Sequence, residues 1–108
     1  MSTAARLVRI YVSESERHGK VPLYQAIVQR LKNEGFAGCV VFKGIEGFGS
    51  HAGLHTTRIF ELSQNLPVVI EVVEAEARVE ELFRMLDEML AEGLVTSERI
   101  EMVERREI

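Results

Sequence analysis

The residues best suited to chemistry are crowded into one segment, Lys43-Gly44-Ile45-Glu46-Gly47-Phe48-Gly49-Ser50-His51-Ala52-Gly53-Leu54-His55-Thr56-Thr57-Arg58. It holds four of the eight glycines and two of the three histidines. Gly44, Gly47, Gly49 and Gly53 would let the backbone approach a phosphate or another anion closely. Lys43, His51, His55 and Arg58 make the segment basic within a chain of net charge −4. An anionic ligand or an acidic partner surface is the natural complement. Phe48, between two glycines, is a large apolar side chain that either folds back onto the body or meets a partner. Lys43, Gly44, Gly47, Phe48, Gly49 and Arg58 are therefore the candidate ligand-binding residues.

Other chemistries fit less well. The glycine spacing is Gly-x-x-Gly-x-Gly rather than the dinucleotide Gly-x-Gly-x-x-Gly, and no phosphate-loop lysine follows. His51 and His55 stand four apart, the spacing of two metal ligands on one helical face. They are the candidate metal residues, with Glu46 and Glu61 the only further ligands in reach. Ser50 and Ser63 belong to no nucleophile elbow or triad, so no catalytic residue is assigned and a non-enzymatic role is expected. Cys39 lies in an apolar run and reads as an inert thiol. No cofactor is assigned.

Composition narrows the class. A chain of 108 residues, 46% hydrophobic and 28% charged, suits one domain with one core. The acidic balance argues against nucleic acid as a partner. A single cysteine fits a reducing compartment, and the N-terminus does not read as a signal peptide. No apolar run approaches the roughly 18 residues of a membrane span. A cytoplasmic protein without membrane insertion is expected.

The elements that must position the segment follow from periodicity. Leu7 to Val12 alternates as a strand, with Val8, Ile10 and Val12 on one face. Pro22 opens a helix whose stripe is Leu23, Tyr24, Ile27, Val28 and Leu31, and Gly35 ends it. Cys39 to Ile45 is the second strand, read with Val40 and Phe42 on one face and Cys39, Val41 and Lys43 on the other. Pro67 opens the third, where Val68, Ile70 and Val72 share a face. A second helix is expected from about Ala75 to Ala91, with the stripe Val79, Leu82, Phe83, Leu86 and Leu90. Its end is marked by Gly93. Leu94 to Thr96 and Ile100 to Val103 suggest a short element and a final strand.

The order is βαββαβ. It implies an α+β ferredoxin-like sandwich, a four-stranded antiparallel sheet with both helices on one face and a long β2–β3 loop. Residues 1–108 form a single domain, and the loop spans about 46–66. The sheet face away from the helices should then carry Leu7, Tyr11, Cys39, Val41, Val69 and Val73, interrupted by Arg9, Lys43 and Glu71. An apolar face of that size calls for a cover, and a symmetric oligomer packed sheet to sheet supplies one.

Three stretches carry a family resemblance: Pro22 to Val28, Lys43 to Gly49, and Leu66-Pro67-Val68-Val69-Ile70-Glu71-Val72-Val73. They resemble the bacterial and archaeal family called domain of unknown function 190, grouped with the PII-like (GlnB-like) signalling proteins. The resemblance runs from Leu7 to Val103. It implies a homotrimer with sheets packed inward, and a regulatory role in which residues 46–66 correspond to the T-loop that engages a partner, such as a membrane transporter or an enzyme. It further implies a small anion or adenine nucleotide in the clefts between subunits. The region Glu74 to Gly93 departs from the PII pattern, being acidic and helical without a phosphate-binding loop, and no tyrosine lies in the loop. A divalent metal held by His51 and His55, as in metal-binding PII-like relatives, is the alternative.

Overall fold

The computed structural model describes residues 2–47 and 66–103. Four strands form one antiparallel sheet: β1 (Ser2–Ser13), β2 (Cys39–Lys43), β3 (Pro67–Ala75) and β4 (Leu94–Val103). Their order in space is β2-β3-β1-β4, with β1 central. Helices α1 (Leu23–Asn33) and α2 (Val79–Met89) join them in the order expected of a ferredoxin-like sandwich. A short ladder, Arg17–His18 against Val21–Pro22, turns at Gly19 and leads into α1.

The core follows strand parity. Val8, Ile10 and Val12 of β1 pair directly with Val72, Ile70 and Val68 of β3, and all six are essentially inaccessible. Leu23, Ile27 and Leu31 of α1 and Leu82, Met85 and Leu86 of α2 close over them. Both helices thus present the stripes that their spacing predicts, α2 with the addition of Met85. Gly35, with φ 76°, takes the left-handed conformation that ends α1.

Three expectations change. The face assigned to β2 is inverted: Cys39, Val41 and Lys43 lie opposite Val72, Ile70 and Val68, on the helix side. Val40 and Phe42, opposite Glu71 and Val69, belong to the open face instead. Each strand residue alternates sides, so an error of one position inverts the whole strand. Second, α2 starts at Val79 rather than Ala75, because Ala75 is still in the ladder opposite Ala5 and a 3₁₀ turn, Glu76–Arg78, intervenes. It also ends earlier, at Met89. Third, residues 94–103 are one continuous strand, paired with β1 from Tyr11 to Ser2.

The turn before α2 is bolted down by polar contacts. The half-exposed Arg78 guanidinium donates to the carbonyls of Gly35 (2.8 Å) and Glu34 (3.1 Å) at the end of α1. It also lies 4.0 Å over the Phe36 ring and bonds Glu81 at 2.8 Å. The buried Glu74 carboxylate accepts from the N–H of Ala37 and of Ala75. Truncation at Leu82→Ala should cost about 2–5 kcal/mol in denaturant unfolding, since it opens a cavity beneath both helices. Arg78→Lys should lower the thermal midpoint nearly as much as Arg78→Ala, because an ammonium cannot hold two carbonyls and a carboxylate with one planar fork.

Candidate functional site: the neck of the 44–66 connection

The two ends of the long connection are clamped together. Gly44 donates its N–H to the Pro67 carbonyl at 2.7 Å, and Glu14 donates its N–H to the Leu66 carbonyl at 2.8 Å. A Cβ added at Gly44 would stand 2.7 Å from Cγ of Pro67, and one at Gly47 3.1 Å from the same atom. Gly44 therefore leaves room for the pyrrolidine ring that a side chain would clash with, and Gly47 gives the same ring a closer but less strict fit. Neither has a positive φ; the need is for space.

Lys43 completes the clamp with an ion pair to Glu14. That hydrogen bond holds the Lys43 ammonium above its ordinary pKa, helped by the field of Glu14. Glu14 is itself positioned by a polar knot after β1. The buried Ser13 donates its N–H to Glu16 at 2.9 Å and shares a 3.0 Å hydroxyl contact with Ser15, and Leu23 N–H bonds the Glu16 carbonyl at 2.7 Å. The second Glu14 oxygen, Oε1, is buried without a hydrogen-bond partner among the described residues. The neck thus presents one paired cation and one unanswered carboxylate oxygen.

Of the candidate ligand residues, Lys43, Gly44 and Gly47 meet at this neck. Phe48, Gly49, His51, His55 and Arg58 lie outside the described residues, as does most of the 46–66 segment. Sequence reasoning missed Glu14 and Pro67. The only signal for Pro67 was its place at the start of a strand, and nothing in the Ser13–Lys20 run singled out Glu14. Among the described residues no three His, Cys, Asp or Glu side chains gather as metal ligands. Cys39 is half-buried on the helix side, and burial pushes its thiol up, as expected of an inert cysteine.

The open sheet face is the second feature. Leu7, Tyr11, Val69, Val73, Val40 and Phe42 share it with Leu94, Ile100 and Met102 of β4. At its centre Arg9 bonds Glu71 on one neighbouring strand (3.2 Å) and Glu98 on the other (3.1 Å). Of the three charges expected on this face, Arg9 and Glu71 are there and pair, whereas Lys43 points to the other side. No described helix is long and apolar enough to cross a membrane.

Gly44→Ala should destabilise the protein by about 1–3 kcal/mol, the usual cost of forcing extra volume into a packed contact. Pro67→Ala should recover part of that loss in a double-mutant cycle read by chemical denaturation. Additive effects would mean that the ring is not what the glycine accommodates.

The chain is similar to known proteins over most of its length. The chain is 33% identical over 100 residues to a UPF0166 protein of Aquifex aeolicus, covering 91% of this chain and 92% of that protein. A second Aquifex aeolicus UPF0166 protein is 35% identical over 98 residues, covering 91% and 96%. A UPF0166 protein of Methanocaldococcus jannaschii is 37% identical over 86 residues, covering 80% and 79%. Residues 5–102 match the family model DUF190, described as an uncharacterized ACR, and the chain belongs to that family.

Proposed function

We propose that the protein is a PII-like regulatory trimer, without enzymatic activity, whose 46–66 segment engages a partner protein according to whether a small ligand occupies the cleft at its base. The observation that carries this reading is the clamped neck. Lys43–Glu14, Gly44–Pro67 and Glu14–Leu66 anchor both ends of a long connection to the core, which supports a segment that engages a partner. Ile45, 87% exposed just outside the clamp, adds an apolar contact for that partner.

The chemistry of the neck supports a ligand that combines an anionic group with a hydrogen-bond donor. Lys43 supplies the positive charge, and the unanswered Glu14 oxygen calls for an N–H or O–H. An adenine nucleotide offers both, through its phosphates and its amino group. The apolar open face supports the trimer, which would bury Phe42, Val69 and Val73 and bring the necks to subunit boundaries. The ligand acts by binding one arrangement of the neck more tightly than another. A cytoplasmic location and a transporter or enzyme as partner complete the reading.

Light scattering on the whole protein should give three times the 12.2 kDa chain mass, falling to the monomer in Val69→Lys. A thermal-shift series with adenine nucleotides, phosphate and divalent cations should then find stabilisation by a nucleotide that Glu14→Gln and Lys43→Ala each weaken at least tenfold in affinity. Stabilisation by divalent cations alone, lost in His51→Ala and His55→Ala, would favour the metal reading. A monomer indifferent to every addition would defeat both.

A further inference from the structure

We infer that a groove along α1 binds an extended peptide segment of a partner protein, one that is acidic at the end nearest the turn at Gly19. The inference goes beyond the function proposed above and uses neither the neck nor the open sheet face. The groove, of about 580 Å³, follows α1 from His18 and Val21 to Asn33 and Glu34, and Met89 of α2 contributes to its lining. That volume lies within the range of ligand sites. Val21, Ala26 and Met89 give it an apolar lining, and Val21 is 44% exposed. The small side chain of Ala26 leaves the space open at the middle of the helix.

The polar lining repeats with each helical turn. Gln25, Gln29 and Asn33 stand four residues apart, so they share one side of α1 at intervals of about 6 Å. An extended chain repeats its backbone groups on one edge every two residues, about 6.7 Å. A carboxamide both donates and accepts, as a peptide unit does. Gln29 Nε2 donates to Asn33 Oδ1 at 3.0 Å, and Gln25 Nε2 donates to the Tyr24 hydroxyl at 3.4 Å. Among the described residues nothing else engages the Gln25 and Gln29 carbonyls or the Asn33 amide nitrogen. The row is spaced to take main-chain hydrogen bonds, while the apolar lining takes a side chain.

Charge sets the direction. Arg17, His18 and Lys20 are all exposed on the turn that closes one end of the groove. Arg17 donates to the Lys20 carbonyl at 2.6 Å, and neither cation meets a carboxylate among the described residues. The neighbouring acids are engaged elsewhere, Glu14 with Lys43 and Glu16 with the Ser13 N–H. The first turn of α1 has no acidic residue to offset the positive end of the helix dipole. At the other end Arg30 is matched by two carboxylates, Glu34 and Glu88, at 2.5 Å each. A segment acidic at the first end and not at the second complements both. Nucleic acid, charged along its whole length, would run onto Glu34 and Glu88, so the occupant is a polypeptide.

The test uses the whole protein and labelled nine-residue peptides, read by fluorescence anisotropy. Each carries two aspartates at one end and a leucine three, four or five positions further on. Residues 25 and 33 are about 12 Å apart along the helix, the reach of about four extended residues, so one of these spacings should fit. The best peptide should bind, with amide NMR shift changes gathered at residues 17–21, 25, 26, 29 and 33. Lys20→Glu should weaken it at least tenfold. So should Ala26→Leu, which fills the groove without altering charge and should leave the circular dichroism unchanged. Lys32→Glu, the same charge change on α1 outside the groove, should leave affinity within twofold. Binding indifferent to Ala26→Leu would overturn the groove and leave only a charged turn. A uridine oligonucleotide bound in preference to every peptide, or no peptide bound up to about 1 mM, would overturn the inference outright.

Discussion

Two helices can cover only one side of a four-stranded sheet, and the rest of this molecule answers to that constraint. Val8, Ile10, Val12, Val68, Ile70 and Val72 sit under α1 and α2 in a dry layer. On the other side of β1 and β3, Leu7, Tyr11, Val69 and Val73 are only partly buried among the described residues. Arg9, bonded to Glu71 and Glu98, occupies the middle of that bare side. Exposed ion pairs of this kind add little to stability, but an unpaired charge in their place would be costly to bury. The triad therefore lets the bare face be covered without stranding a charge.

The clamp at the root of the long connection depends on the same sheet. β2 is short and, among the described residues, pairs with β3 alone; the Lys43–Glu14 pair and the Gly44–Pro67 contact tie its far end to the body. The polar knot at Ser13 to Glu16 brings the Glu14 carboxylate across from the end of β1. On the proposed reading, ligand chemistry and mechanical anchoring would fall on the same few side chains. A group that competed for Glu14 or Lys43 would break the ion pair that ties the end of β2 to the body.

The fold was legible in the sequence where patterns were unambiguous. β1 and β3 alternate cleanly, and each helix carries a single stripe. β2 was not legible in phase because Val40, Val41 and Phe42 are apolar in succession, and either parity gives an apolar face. Only pairing with β3 decides it. The start of α2 was hidden because Ala75, Glu76 and Ala77 are acceptable helix formers, whereas β1 extends far enough to hold Ala75 in the ladder. β4 looked broken because an edge strand can carry Ser97, Glu98 and Arg99 in a row. At the neck, Gly44 and Gly47 were visible as glycines, but the reason for them is a proline some twenty positions away, reachable only through the fold.

Pro67 has a consequence for motion. It accepts from Gly44 through its carbonyl but has no N–H to donate, so the β2–β3 ladder is capped at this rung. Among the described residues the ladder therefore ends at Gly44 and Pro67. A pull on Gly44 is then borne by that one hydrogen bond and by the Lys43–Glu14 pair, both at the far end of β2.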